Sequence, residues 1–321
     1  MMEITEGSHA VAEAVRFCRP QVISAYPITP QTHIVEALAD MVANCQLDAE
    51  YLTVENELSA LSACIGASAA GSRTYSATTS QGLALMFEVC FNAAGMRLPI
   101  VMSIANRALG APLSIWNDQQ DSISLRDSGW LQFYAEDNQE ATDLHYLAYR
   151  VAEDYSVLLP AFVCFDGFIL SHTYEPIDML SQEDIDKFLP KFTPYERLDA
   201  ADPISFGMYA TPDYYLEFRY EMDRALKESK AIIQKAGKEF GQRGFKEIVL
   251  IQHFIESFLI KTGRSQRRNF KVLPQFFIVN ILQPFKYFLI QIVEFIRFSA
   301  FTDLACFFYQ MILYLKRCVK T

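Results

Sequence analysis

Nowhere in the 321 residues is there a CxxC pair or a Cys/His spacing of the zinc type, so the usual sequence signatures of an iron–sulfur cluster or a structural zinc site are missing. The seven cysteines (Cys18, Cys45, Cys64, Cys90, Cys164, Cys306, Cys318) are odd in number and scattered. They read as reduced thiols of a cytoplasmic protein. Basic charge is also scarce over most of the chain: residues 1–244 hold 17 Lys and Arg against 34 Asp and Glu. That balance excludes a nucleic-acid binder, which needs clustered cations to release phosphate counterions. The start, MMEITEGSHAVAEAVRFCRP, lacks the basic-then-apolar profile of a secretory signal, which argues against export. No long apolar run is free of interruption. Pro284, Lys286 and Glu294 break 272–296 and Asp303 breaks 298–315, and each central charge costs about 2.5–3.5 kcal/mol in a bilayer. No membrane role is expected.

What the chain does have is an alternation of strand-like and helical segments. Val11, Val15 and Cys18 share a helix face, and VISAY (22–26) is a short β-rich run stopped by Pro27 and Pro30. A helix over 32–44, a strand at YLTV (51–54), a small-residue helix over 57–70, a strand at RTYSAT (73–78), a helix over 81–95 and a strand at PIVMSIA (99–105) follow. LQFYAE (131–136), a helix over 138–155 with Asn138 near its cap, and a buried strand in SVLLPAFVCF (156–165) complete the pattern. This rhythm predicts an α/β fold with a mostly parallel open sheet flanked by helices, over residues 1–170. An irregular, proline-punctuated arm and a charged helix over 213–241 make up 171–244. Residues 245–321 differ in composition, with 11 Lys and Arg against 4 Asp and Glu, 13 Phe and a single Gly. They form an atypical apolar, basic tail.

Four polar segments each follow a strand-like run: AYPITP (25–30), VENE (54–57), TTSQG (78–82) and NRALGAPLSIWND (106–118). In an open parallel sheet the carboxyl ends of the strands share one crevice, where ligands sit. Taken residue by residue, each candidate has an ordinary explanation. Glu57 complements the dipole of a helix start, Thr29 is turn chemistry between prolines, Arg107 pairs with Asp118 or Asp121, and Gln81 and Gly82 are a plain helix start, the other reading being exposed amides that face a cofactor. His9, His33, His145 and His172 show no mutual spacing for a metal, and each reads as a surface or capping histidine. No metal ligand is assigned in this chain. Trp116 and Trp130 flank a polar loop, with core packing as their plainest role.

In combination, YPITPQT, SALSACIGASAAG, ATTSQGLALM, MRLPIVM, NRALGAPLSIWND and FYAEDNQEA resemble the α subunit of pyruvate:ferredoxin oxidoreductase, within the thiamine diphosphate-dependent 2-oxoacid:acceptor oxidoreductases. The resemblance spans roughly residues 3–243 and implies a pyrimidine-binding domain of the thiamine diphosphate fold. It also implies the reaction: oxidative decarboxylation of pyruvate with coenzyme A to acetyl-CoA and carbon dioxide, with electrons passed to ferredoxin. Glu57, fourteen residues before Gly71, matches the family glutamate. A carboxylate there, hydrogen-bonded to N1′ of the aminopyrimidine, promotes the imino tautomer that takes the thiazolium proton. Glu55 is the second choice for that role. Arg107 matches the arginine that holds the substrate carboxylate, and Thr29 the threonine beside the substrate; Gln81 and Gly82 fall on the cofactor side. The chain carries neither a diphosphate-and-magnesium motif nor cluster-binding cysteines. The resemblance therefore places Mg2+ and the 4Fe-4S clusters on β, γ and δ-type partner subunits. Other 2-oxoacids, branched-chain or 2-oxoglutarate, and a truncated non-catalytic remnant are the alternatives. In the relatives a second α/β domain follows, and the tail over 245–321 does not resemble it. A shifted reading frame after about codon 244, or a truncated gene, is the expected origin.

Overall fold

The first strands alternate Val, Ile, Tyr and Thr with small residues, a pattern that suits burial on both faces of a parallel sheet. In a computed structural model, which describes residues 2–241, they form such a sheet. The elements run β1 (Met2–Glu6), α1 (Gly7–Cys18), β2 (Val22–Ser24), α2 (Thr32–Ala43), β3 (Glu50–Leu52), α3 (Glu57–Ala69), β4 (Thr74–Thr78), α4 (Ser80–Leu85), α5 (Phe87–Gly95) and β5 (Val101–Asn106). There follow α6 (Gln120–Ile123), β6 (Leu131–Tyr134), α7 (Asn138–Ala152), β7 (Ala161–Asp166), α8 (Ile169–His172), β8 (Tyr174–Asp178), α9 (Gln182–Phe188) and α10 (Pro212–Gly241). Six strands pair in the order β3-β2-β4-β5-β7-β6, every pairing parallel. The order reverses between β2 and β4, which makes that junction the switch point where a crevice opens.

Strand periodicity sorts the core into two faces. Tyr75, Ala77, Ala105 and Phe165 join Val11, Val15, Ile34 and Leu38 of α1 and α2 on one side. Met102 and Ile104 lie with Leu61, Cys64, Cys90 and Ala93 of α3 and α5 in the other cluster. Two buried polar assemblies sit within the packed body. Arg73, 6% exposed, forks onto Glu153 with both N···O distances at 2.6 Å, and also donates to the carbonyls of Cys18 and Pro190. Tyr75 donates to Ser103 Oγ at 2.5 Å, and Ser103 meets His145 Nε2 at 2.6 Å. The other ring nitrogen of His145 lies 2.6 Å from the Ala141 carbonyl, which fixes Nδ1–H as the donor and leaves Nε2 to accept from Ser103. Burial pulls the His145 pKa down to about 4. His145 is thus a core histidine, which corrects its reading as a surface or capping one.

Several boundaries differ from the sequence reading for identifiable reasons. Asp137 rather than Asn138 caps α7, its carboxylate accepting from the Glu140 amide at 2.7 Å. The helix over 81–95 is two helices, because Met86 adopts the bridge conformation between them. β7 starts only at Ala161, after Leu158 has turned to positive φ and Pro160 has removed a donor. β1 and β8 pair antiparallel outside the main sheet, and the sequence reading assigned neither. The arm is not wholly irregular, since it supplies β8 and α9. Cys306, Cys318 and the whole of 245–321, with its expected frameshift, lie outside the described residues. Among the described residues, no helix is long and apolar enough to cross a membrane.

Candidate active site

The four loops singled out in the sequence follow β2, β3, β4 and β5, which are consecutive neighbours in the sheet. Parallel pairing therefore brings all four to the same edge, on both sides of the switch point. Each loop has a local anchor. Asn56 Oδ1 accepts from the Ser59 amide at 2.9 Å, so α3 begins at Glu57 and presents an acidic residue at its positive end. Glu55, by contrast, is exposed and accepts from Ser59 Oγ at 2.7 Å. This leaves Glu57 as the inward carboxylate.

Glu57 is only 7% exposed, yet its carboxylate makes no hydrogen bond or ion pair with any described residue. The space it occupies is created by Gly82. A Cβ at that glycine would stand 2.8 Å from Glu57 Oε1 and 2.4 Å from Thr78 Oγ1. The amide of Gly82 is already donated to the Thr79 carbonyl at 2.9 Å. Its part in the site is therefore to let a carboxylate approach, not to offer a free N–H. Thr78 Oγ1 is buried and unpartnered as well, and the sequence reading did not single it out.

Arg107 lies across the same edge, 8% exposed. Its Nη1 donates to the Thr29 carbonyl and its Nη2 to Gln81 Oε1, both at 2.6 Å, while Nε is buried without a partner. Gln81 and Thr29 therefore both contact Arg107. No acidic side chain among the described residues forms an ion pair with this guanidinium; burial lowers its pKa from the ordinary value, and the nearby charge of Asp121 pulls against that fall. The expected ordinary partners are engaged elsewhere. Asp118 accepts from Gln120, and Asp121 takes the Arg107 backbone N–H at 3.1 Å. Asp121 is the main residue that sequence reasoning undervalued. Its buried carboxylate also accepts from Ser80 N, Asn106 Nδ2 and Ser122 N, tying the ends of β4 and β5 together. Burial raises its pKa, and those donated hydrogen bonds pull against the rise. Ser80, held at φ +44°, is fixed by this carboxylate, with its hydroxyl within reach of Gln81 Oε1 and the Ala108 carbonyl.

β7 closes the rim. A Cβ at Gly167 would lie 2.5 Å from the Asn106 carbonyl and 2.8 Å from Pro30 Cγ, so the YPITP loop packs onto the end of β7. Asp166 beside it is half-buried, its Oδ1 has no partner, and burial pushes its pKa up to about 6. Trp116 is 55% exposed and packs edge-on against Phe168 at 4.4 Å, so it belongs to the rim; Trp130 is the core residue expected of both. Among the described residues, a buried carboxylate with no partner and a buried guanidinium whose Nε has none give this edge acceptor and donor capacity left over from the protein's own hydrogen bonds. That combination fits an aminopyrimidine and a carboxylate-bearing substrate.

Residues 13–238 match the family model described as pyruvate flavodoxin/ferredoxin oxidoreductase, thiamine diP-binding. The pyruvate synthase subunit PorA of Methanothermobacter thermautotrophicus is 56% identical over 254 residues, covering 79% of this chain and 66% of that protein. The ketoisovalerate oxidoreductase subunit VorA of Pyrococcus abyssi is 52% identical over 242 residues, covering 75% of this chain and 61% of that protein. The chain thus spans just under two thirds of the length of these relatives. Among solved structures, the 2-oxoglutarate:ferredoxin oxidoreductase from Magnetococcus marinus, with 2-oxoglutarate, coenzyme A and succinyl-CoA bound, superposes with a TM-score of 0.57 at 21% identity. It covers 70% of this chain and 44% of that one, a likeness of fold. With the match over 13–238 and relatives at 52–56% identity, the chain belongs to the pyruvate flavodoxin/ferredoxin oxidoreductase family of thiamine diphosphate-binding proteins.

Proposed function

We propose that this chain is the α subunit of a pyruvate:ferredoxin oxidoreductase of anaerobic metabolism, acting in the cytoplasm. The reaction joins pyruvate and coenzyme A as acetyl-CoA and releases carbon dioxide, while the two electrons set free pass to ferredoxin. The observation that carries the reading is the buried carboxylate of Glu57 against Gly82, without a partner among the described residues. Bound thiamine diphosphate supplies a nucleophilic carbon and an electron sink for decarboxylation. Glu57 would hold a proton-sharing hydrogen bond to the ring nitrogen of the aminopyrimidine. Its low exposure excludes the water that would otherwise compete for that bond.

Arg107 would grip the oxoacid carboxylate, its guanidinium already aimed by Thr29 O and Gln81 Oε1. Thr29 is exposed, and its hydroxyl makes no hydrogen bond among the described residues. It would donate to substrate oxygen. The diphosphate with its Mg2+, and the 4Fe-4S clusters, would be held by β, γ and δ-type partner subunits, since this chain offers no ligand set for them in sequence. Pyruvate is preferred because relatives named pyruvate synthase subunits reach 56% identity. A relative named for ketoisovalerate at 52% makes a branched-chain oxoacid the second reading.

The test is co-expression of the full chain with the partner subunits, followed by thiamine-dependent acceptor reduction with pyruvate, 2-oxoisovalerate and 2-oxoglutarate. Wild type should turn over pyruvate with the highest kcat/KM, and Glu57→Ala should lower kcat by about 10²–10⁴-fold. An active wild type whose alanine variant keeps its rate would remove Glu57 from the chemistry. Preference for a bulkier oxoacid would replace pyruvate.

A further inference from the structure

We propose that Glu6, His33 and His172 form a binding site for a divalent cation of the zinc class, behind the loop that carries Thr29. The three come from separate elements: Glu6 ends β1, His33 lies in the first turn of α2 and His172 ends α8. One ligand atom from each falls within 4.8 Å of the others. Glu6 is almost fully buried, with Oε1 2.6 Å from His33 Nδ1. The rings of His33 and His172 stand 5.0 Å apart and tilted. His9 stacks beside His33 at 6.2 Å and comes within 3.8 Å of Glu6 Oε2, which puts a further imidazole within reach of a fourth position.

Two imidazoles and one carboxylate make the donor set of three-ligand zinc sites, in which the remaining position is left to water or another side chain. A tetrahedral ion with bonds near 2.0–2.1 Å needs its ligand atoms roughly 3.3 Å apart. His33 and His172 are only partly buried, so small side-chain rotations can widen the 2.6 Å contact between Glu6 and His33 and draw His172 in to that spacing. The ion would take the place of the contact between Glu6 Oε1 and His33 Nδ1. Support from outside the ligands is already in place. Ser171 Oγ lies 2.7 Å from His172 Nδ1 and accepts from the Phe168 amide at 2.8 Å. With Nδ1–H donating to Ser171, the Nε2 lone pair of His172 is free for a metal. The site would tie α2, which follows Thr29, to the Phe168 turn, whose ring meets both Trp116 and His172.

The test uses the full chain freed of metal by chelation and titrated with Zn2+ by calorimetry, then with Co2+ by electronic absorption. One ion per chain is expected, with visible cobalt bands and no thiolate-to-cobalt charge transfer. The double variant His33→Ala, His172→Ala should lose this binding, and Zn2+ should raise the melting temperature of wild type but not of the variant. Ser171→Ala keeps every ligand and should weaken binding about 10–100-fold; if the double variant does not fold, this variant decides, and unchanged affinity overturns the site. Absence of uptake by wild type, uptake that survives the double replacement, or a thiolate spectrum would each show a plain carboxylate–histidine hydrogen bond instead.

Discussion

Two arginines, nearly equal in burial, stand at opposite ends of the parallel sheet and are treated in opposite ways. Arg73 enters β4 at its amino end and meets a matching fork of Glu153 oxygens plus two carbonyls. Burial alone would lower its pKa, but the bond to Glu153 and that residue's charge hold it above the ordinary value. Arg107 leaves β5 at the carboxyl end, forms no ion pair among the described residues, feels Asp121 only as a nearby charge and keeps Nε idle. The amino-end edge is closed chemically and serves stability. The carboxyl-end edge is left open, and the same cost of unmet polar groups that would weaken a core becomes binding capacity there.

The contrast predicts a ranked series of effects on the stability of the full chain. Arg73→Ala should be the most damaging, at about 3–5 kcal/mol, because Glu153 is stranded in the interior. Chemical denaturation would show it, and restoration by the pair Arg73→Met, Glu153→Leu would show that the stranded charge was the cause. Next comes acid. The unfolded chain protonates His145 as pH falls below about 6.5, whereas the fold resists until about 4. This contribution is therefore complete above 6.5 and lost over that interval, about 3 kcal/mol in all. Melting curves across the range should be flatter in pH for His145→Gln than for wild type; equal slopes would place the loss elsewhere.

At the open edge the effects should be smaller on stability and larger on function. Gly82→Ala forces a methyl into the space of Glu57 Oε1 and Thr78 Oγ1. It should cost about 1–3 kcal/mol while abolishing the turnover that depends on Glu57. Arg107→Met should change stability least, by under about 1 kcal/mol, yet lower kcat/KM for the oxoacid by about 10–100-fold, as loss of a hydrogen bond to a charged group would. If Arg107→Met destabilised as much as Arg73→Ala, the two ends would not differ in kind.

Much of this edge is legible in the sequence alone. The alternation of runs such as RTYSAT and PIVMSIA with helical segments fixes a parallel sheet, and parallel strands must deliver their following loops to one end. Glu57, Gln81, Gly82 and Arg107 were therefore placed together by chain direction alone. The details were not legible, because they depend on what fills the gaps between elements. Gly82 read as an amide donor and acts as empty space. Asp121 read as a counter-ion for a guanidinium and acts on four donors around it. Asp137 displaced Asn138 as the cap of α7, since both residue types satisfy the same rule and only the backbone turn selects between them.

Local order along the chain determined the α/β class, the order of the loops and the residues that could carry chemistry, because hydrophobic period and turn residues act over a few neighbours. Only tertiary packing decided which polar groups are paired and which are left waiting. It sent His145 into the core and drew His9, His33 and His172 around Glu6, though nothing in their sequence spacing joins them. Hydrogen bonding and metal ligation act through space at about 3 Å, and distance along a folded chain says little about separation on that scale.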